Sequence, residues 1–86
     1  MPIISRFFGI IIAIYWDDHA PPHFHAKYSG EEAVINIKTG EVIRGALSRR
    51  ALSLVEDWRK QHTDELIQDW NLAEQHKPLR CISPLE

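Results

Sequence analysis

The chain has 86 residues, of which 44% are hydrophobic and 26% are charged, a composition typical of one folded domain over residues 1–86 and not of a disordered segment. Ten basic against twelve acidic residues give a net charge of −2, which excludes a global attraction to nucleic acid and makes any RNA contact local. The single Cys81 excludes an internal disulfide framework, and the longest apolar run falls far short of the roughly 20 residues of a membrane span, so we expect a cytoplasmic protein with no membrane partner.

The N-terminal residues predict a β-hairpin. Residues 3–7 and 10–16 are rich in β-branched and aromatic side chains, which favour strands, and Gly9 between them can take a positive φ without steric cost. The next segment, residues 17–22, contains Pro21 and Pro22, whose rings restrict φ and whose nitrogens donate no hydrogen bond. We therefore expect a stiff loop after the hairpin.

A third strand is predicted over residues 23–28, because apolar and polar side chains alternate there. One face of this strand carries Phe24, Ala26 and Tyr28, and the other carries His23, His25 and Lys27. We expect the first set to face the core and the second set to share an accessible face. Two further strands are predicted over residues 32–37 and 42–44, since turn-forming residues precede and separate them.

Two helices are predicted in the C-terminal half. From Ser48, a favoured N-cap residue, apolar side chains recur every three or four positions, and Thr63 predicts the cap of a second helix. Trp58 and Trp70 lie on the apolar stripes of these helices, so we expect both to be buried in the core. Residues 79–82 then form either an edge strand or a cover over the core.

The order of these elements predicts an α+β domain. Its sheet is a four- or five-stranded antiparallel meander, and two C-terminal helices follow it in the chain. Because each helix has one apolar stripe and the strands have one apolar face, we expect both helices to pack on one face of the sheet.

Four segments of the chain resemble a known family. The segments ISRFFGI (residues 4–10), DHAPPHFHA (18–26) and GEV (40–42), with RAL (50–52) through to Trp58, are similar to the small bacterial proteins grouped as domain of unknown function 4160. That family has no assigned activity. The resemblance implies one component of a two-gene, toxin–antitoxin-like module, here the candidate toxin, whose partner is a small protein encoded by the neighbouring gene.

The histidines suggest a metal site as one hypothesis. His23 and His25 leave the same face of a predicted strand, roughly 6–7 Å apart at the backbone, and two imidazoles at this spacing can share one ion. His19 or an aspartate such as Asp18, across the two prolines, can supply the third ligand. Imidazole and carboxylate ligands suit a divalent transition metal such as Zn or Ni.

Acid–base catalysis on an RNA phosphodiester is the competing hypothesis. His23 and His25 would transfer protons, and Lys27 on the same face would stabilise the anionic transition state. Arg44, Arg49 and Arg50 are close in sequence and are the candidate substrate-binding residues. The last two fall in the first turn of a helix, where the helix dipole disfavours cations, and a bound anion would explain that position.

A structural interpretation needs no active site. The three histidines would then satisfy the backbone of a proline-rich turn, and the chain would be a protein-interaction module. The sequence leaves these alternatives open. It also leaves the oligomeric state open, with a homo-oligomer among the alternatives.

Overall fold

The computed structural model describes residues 3–16 and 19–86, which form an antiparallel sheet followed by two helices. The strands are β1 (Ile3–Phe7), β2 (Ile10–Ala13), β3 (His23–Tyr28), β4 (Glu31–Asn36) and β5 (Val42–Gly45), and the helices are α1 (Arg49–Gln61) and α2 (Thr63–Glu74). The sheet has five strands in the order β1-β2-β3-β4-β5. The predicted α+β fold, with a meander before two helices, is therefore confirmed. No helix in the described part of the chain is long and apolar enough to cross a membrane.

The hydrophobic core lies on the face of the sheet that carries Phe24 and Ala26, both fully buried. Trp58 from α1 is also fully buried, and its ring lies 5.3 Å from that of Phe7 and 6.0 Å from that of Phe24. Trp70 from α2 is 4% exposed. The predicted burial of both tryptophans is confirmed.

The N-caps of the two helices differ. Ser48 caps α1 as predicted, and its Oγ accepts a hydrogen bond from the backbone N–H of Ala51. The predicted cap on α2 is wrong, since His62 occupies the N-cap position and Thr63 is already helical. Only His62 separates the two helices. Thr63 therefore lies one turn after Arg59, and its hydroxyl donates to the Arg59 carbonyl instead of capping α2.

The C-terminal segment covers the core and forms no strand. Ile82 is buried, and its backbone N–H donates to the Ile4 carbonyl at 2.7 Å. The indole N–H of Trp58 donates to the Ser83 carbonyl at 2.8 Å, and the backbone N–H of Arg80 donates to Oδ1 of Asp69. These bonds join the segment to β1 and to both helices. Of the two predicted alternatives, covering the core is the one found.

A buried guanidinium, which the sequence did not reveal, joins α1 to the end of β4. Arg59 is 7% exposed and donates to both carboxylate oxygens of Glu56 and to the Ile37 carbonyl. The hydrogen bond between the two side chains raises the pKa of Arg59 and lowers that of Glu56. Because the guanidinium has these partners, burying its charge is tolerated.

Asp69 is a source of pH-dependent stability. Its side chain is 1% exposed, and Oδ2 has no hydrogen-bond partner among the described residues. Burial raises the pKa of this carboxyl above its ordinary value. The folded state therefore holds the proton to higher pH than the unfolded state does, and Asp69 reduces stability as the pH rises between the two pKa values.

We expect Asp69→Asn to be at least as stable as the native protein at pH 7, because it removes a buried charge and keeps an oxygen for the Arg80 N–H. The difference should shrink as the pH falls below the raised pKa, where the native carboxyl is neutral. Urea unfolding at several pH values measures both effects. A variant that is less stable by the same amount at every pH would contradict this account.

Candidate functional site

The candidate site lies on the face of the sheet opposite Phe24. In the antiparallel register His25 faces Ala13 on β2 and Val34 on β4, and Val34 faces Arg44 on β5. Directly paired residues in antiparallel strands point to the same face, with strands about 4.8 Å apart. The sheet therefore places Arg44 on the same face as His25, roughly 10 Å away at the backbone.

The predicted accessible face is wrong for the histidines. His23 and His25 are each 8% exposed, because aromatic rings pack on both sides of the pair. The ring of Tyr15 lies 4.4 Å from that of His25, the two imidazoles lie 5.5 Å apart, and the ring of Trp70 lies 5.1 Å from that of His23. Tyr15 can pack there because β2 ends at Ala13, three residues earlier than predicted.

Hydrogen bonds define the orientation of both imidazoles. Nδ1 of His23 lies 2.8 Å from the Pro21 carbonyl oxygen, and Nδ1 of His25 lies 2.8 Å from Oε2 of Glu32. A carbonyl or carboxylate oxygen can only accept, so Nδ1 carries the donated proton in each ring. In the neutral imidazoles the lone pair is then on Nε2, which is the atom able to accept a proton or bind a metal.

A cavity of about 240 Å³ gives access to this face. Its lining residues are His25, Glu32, Val34, Arg44 and Gly45. An imidazole, its carboxylate partner and a guanidinium thus meet at one opening. Of the three predicted substrate-binding arginines, the structure brings only Arg44 to the histidines.

The other two arginines lie elsewhere. Arg49 and Arg50 are exposed at the start of α1, and Arg50 lines a different cavity, together with Phe8 and Tyr28. Lys27, the predicted catalytic lysine, shares the histidine face, and its Nζ lies 5.7 Å from the centre of the Tyr15 ring. Hydrogen bonding to Tyr15 raises the pKa of Lys27, which favours its charged form.

The structure does not bring His19 together with the other two histidines. His19 is exposed, and residues 3–16 and 19–86 contain no group of three or more His, Cys, Asp or Glu side chains that could hold a metal ion. Asp18 lies outside the described residues, so a metal site that includes it stays a prediction.

Glu32 is the site residue that the sequence analysis missed. β3 and β4 are joined by Ser29 and Gly30, both with positive φ, as in the two-residue hairpin turns that define strand register. That register pairs Lys27 with Glu32 and so places Glu32 diagonally from His25 on the same face. The turn motif was therefore sufficient to predict this neighbour.

Comparisons with other proteins place the chain in a family. No curated protein and no solved structure showed significant similarity to it. The family model described as a domain of unknown function (DUF4160) matches residues 9–71, a range that includes His25, Glu32 and Arg44. Because the match covers well over half of the chain, the protein belongs to the DUF4160 family.

Proposed function

We propose that this protein is the RNA-acting component of a two-gene, toxin–antitoxin-like module, and that it cleaves phosphodiesters at the cavity beside His25. The observation that carries this proposal is the hydrogen bond between His25 and Glu32 at a cavity that Arg44 also lines. The two-gene context rests on the family resemblance. The chemistry rests on this arrangement of side chains.

The carboxylate of Glu32 gives His25 the role of a general base. A carboxylate that accepts from Nδ1 holds the imidazole in one tautomer and stabilises the imidazolium formed when Nε2 takes a proton. On RNA, Nε2 would remove the proton of a 2′-hydroxyl, whose oxygen then attacks the adjacent phosphorus. The bond from phosphorus to the 5′-oxygen breaks, and a 2′,3′-cyclic phosphate and a free 5′-hydroxyl are formed.

The leaving 5′-oxygen needs a proton, and His23 is the nearest second imidazole, with its ring centre 5.5 Å from that of His25. In the protonated form it would donate that proton as the general acid. The charge that develops on the phosphoryl oxygens needs a cation close by. Arg44 has a planar guanidinium suited to two phosphate oxygens, and Lys27 adds a second positive charge on the same face.

The growth test uses the chain with and without its neighbour. Induction of this protein alone should slow growth, and co-expression of the neighbouring gene product should relieve the effect. Glu32→Gln should weaken both toxicity and RNA cleavage by the purified protein, because an amide cannot stabilise the imidazolium as a carboxylate does.

The chain offers a matched control for this substitution. Nδ1 of His62 lies 2.6 Å from Oε1 of Glu65, and this half-exposed carboxylate lies on α2, away from the cavity. Glu65→Gln should therefore leave toxicity and cleavage unchanged. Equal effects of the two substitutions, or harmless expression of the native protein, would contradict the proposal.

Metal binding is a second candidate, favoured by the same hydrogen bonds. Metal-binding histidines commonly donate the other ring N–H to a carbonyl or carboxylate, as His23 and His25 do at Nδ1. If these rings bind Zn or Ni, the metal should raise the Tm of protein that carries no histidine tag, because a ligand that binds only the folded state stabilises it. The rise should be lost in His25→Gln and kept in His62→Gln. An unchanged Tm at millimolar metal would exclude this candidate.

A further inference from the structure

A second cavity lies at the hairpin end of the sheet, on the side that the helices cover. Its volume is about 260 Å³, and its walls are Phe8, Ile10, Tyr28, Ser48, Arg50, Ala51 and Leu54. The β1–β2 turn, the end of β3 and the start of α1 enclose it. It shares no lining residue with the cavity beside His25.

The size and lining of this cavity favour a single large apolar side chain. Small-molecule sites usually enclose roughly 300–1,000 Å³, and this cavity is smaller. Apolar side chains form most of its wall, so burial of one leucine or phenylalanine side chain there would be favourable.

The charge beside the cavity favours an acidic ligand. Arg49 and Arg50 are exposed in the first turn of α1, and no acidic residue lies in that turn. The helix dipole makes this an unfavourable place for two cations. A carboxylate bound beside Arg50 would compensate both the dipole and the like charges.

Phe8 is a second feature at this cavity that favours a binding partner. Its ring is 61% exposed, and its backbone has a φ of 50°, a left-handed conformation that is uncommon for a residue other than glycine, asparagine or aspartate. Phe8 and Gly9 form the two-residue β1–β2 turn, which requires the positive φ at both positions, as at Ser29 and Gly30. Neither this turn geometry nor burial in the core requires an aromatic side chain at Phe8. Contact with a partner protein would explain why this exposed aromatic ring lies at the mouth of an apolar cavity.

We propose that this cavity docks an acidic segment of a partner protein, which inserts one large apolar side chain between Phe8 and Leu54 and pairs a carboxylate with Arg50. The main contact is one side-chain anchor in a pocket, the kind of contact that carries most of the binding energy at interfaces, and the ion pair lies beside it. The proposal depends on neither RNA cleavage nor a two-gene module, so it can fail or hold independently of the proposed function.

The test is an NMR titration of ¹⁵N-labelled full-length protein with three short peptides. The first is acetyl-Asp-Glu-Leu-Glu-Asp-amide, the second replaces the leucine by alanine, and the third replaces the acidic residues by lysine. The first peptide should shift the amide signals of Phe8, Arg50 and Leu54. The other two should bind at least about tenfold more weakly, the equivalent of about 1.4 kcal/mol.

Two substitutions test the site itself. Arg50→Glu should weaken binding of the leucine peptide by at least about tenfold, whereas substitution of another exposed arginine that does not line the cavity, Arg80→Glu, should leave it unchanged. Phe8→Asn should weaken binding to a similar degree while the Tm stays the same or rises, because asparagine tolerates a positive φ better than phenylalanine does.

Four results would overturn the proposal. One is the absence of binding by the leucine peptide at millimolar concentration, and another is equal binding of the alanine peptide. A third is 4-phenylbutyrate binding as tightly as the peptide, which would identify a site for small amphiphiles. The fourth is that a single-stranded oligoribonucleotide shifts the amide signals of Phe8, Arg50 and Leu54 while the leucine peptide does not. That result would show that this surface binds RNA.

Discussion

Replacing Trp58 by alanine is expected to lower the free energy of unfolding by about 3–5 kcal/mol, the usual cost of removing a large aromatic side chain from a core. The ring is fully buried and packs on Phe7 and Phe24, and its N–H satisfies the Ser83 carbonyl. Domains commonly have only about 5–15 kcal/mol of stability, so this substitution should bring the protein close to unfolding. Urea titration followed by far-UV circular dichroism measures the loss.

Two other variants separate the causes of this effect. Trp58→Phe keeps most of the apolar volume, so it should lower the free energy of unfolding by less than Trp58→Ala does. Some loss should remain, because the Ser83 carbonyl no longer has its donor. Trp16 is 45% exposed, and Trp16→Ala should change stability by no more than about 0.5–1 kcal/mol. If Trp58→Ala and Trp16→Ala lower the free energy of unfolding by the same amount, packing of Trp58 on Phe7 and Phe24 does not stabilise the core.

Replacing His25 by glutamine is expected to reduce the rate of RNA cleavage by about 10²- to 10⁴-fold, the usual contribution of a general base. Glutamine has a similar size and can donate a hydrogen bond to Glu32, but it cannot accept a proton at neutral pH. The rate is measured under single-turnover conditions with a labelled single-stranded RNA, and the melting curve of the variant shows whether it is folded.

The control for this substitution is His62→Gln. His62 also has a carboxylate partner at Nδ1, and it packs on Trp58. His62→Gln therefore tests whether loss of any partly buried histidine lowers the cleavage rate merely by destabilising the fold. Cleavage by His62→Gln should equal that of the native protein. If folded His25→Gln remains as active and as toxic as the native protein, His25 is not the base. Toxicity would then have to come from binding to a cellular target.

Much of the architecture followed from local patterns in the sequence. The alternation in residues 23–28 predicted which face of β3 is apolar, because successive side chains of a strand point to opposite faces. The spacing of Trp58 and Trp70 on their helices predicted their burial in the same way. Each of these predictions depends on residues that are neighbours in the chain, and each agrees with the fold.

The sequence by itself thus determined the elements, their order and the face of β3 that carries His23 and His25. The tertiary structure alone decided what packs on that face. Tyr15 and Trp70 bury the two imidazoles, and the cross-strand register brings Arg44 to the cavity. The physical reason is that periodicity defines the direction of a side chain, whereas its burial and its partners depend on residues distant in the chain, whose positions only the packed fold defines.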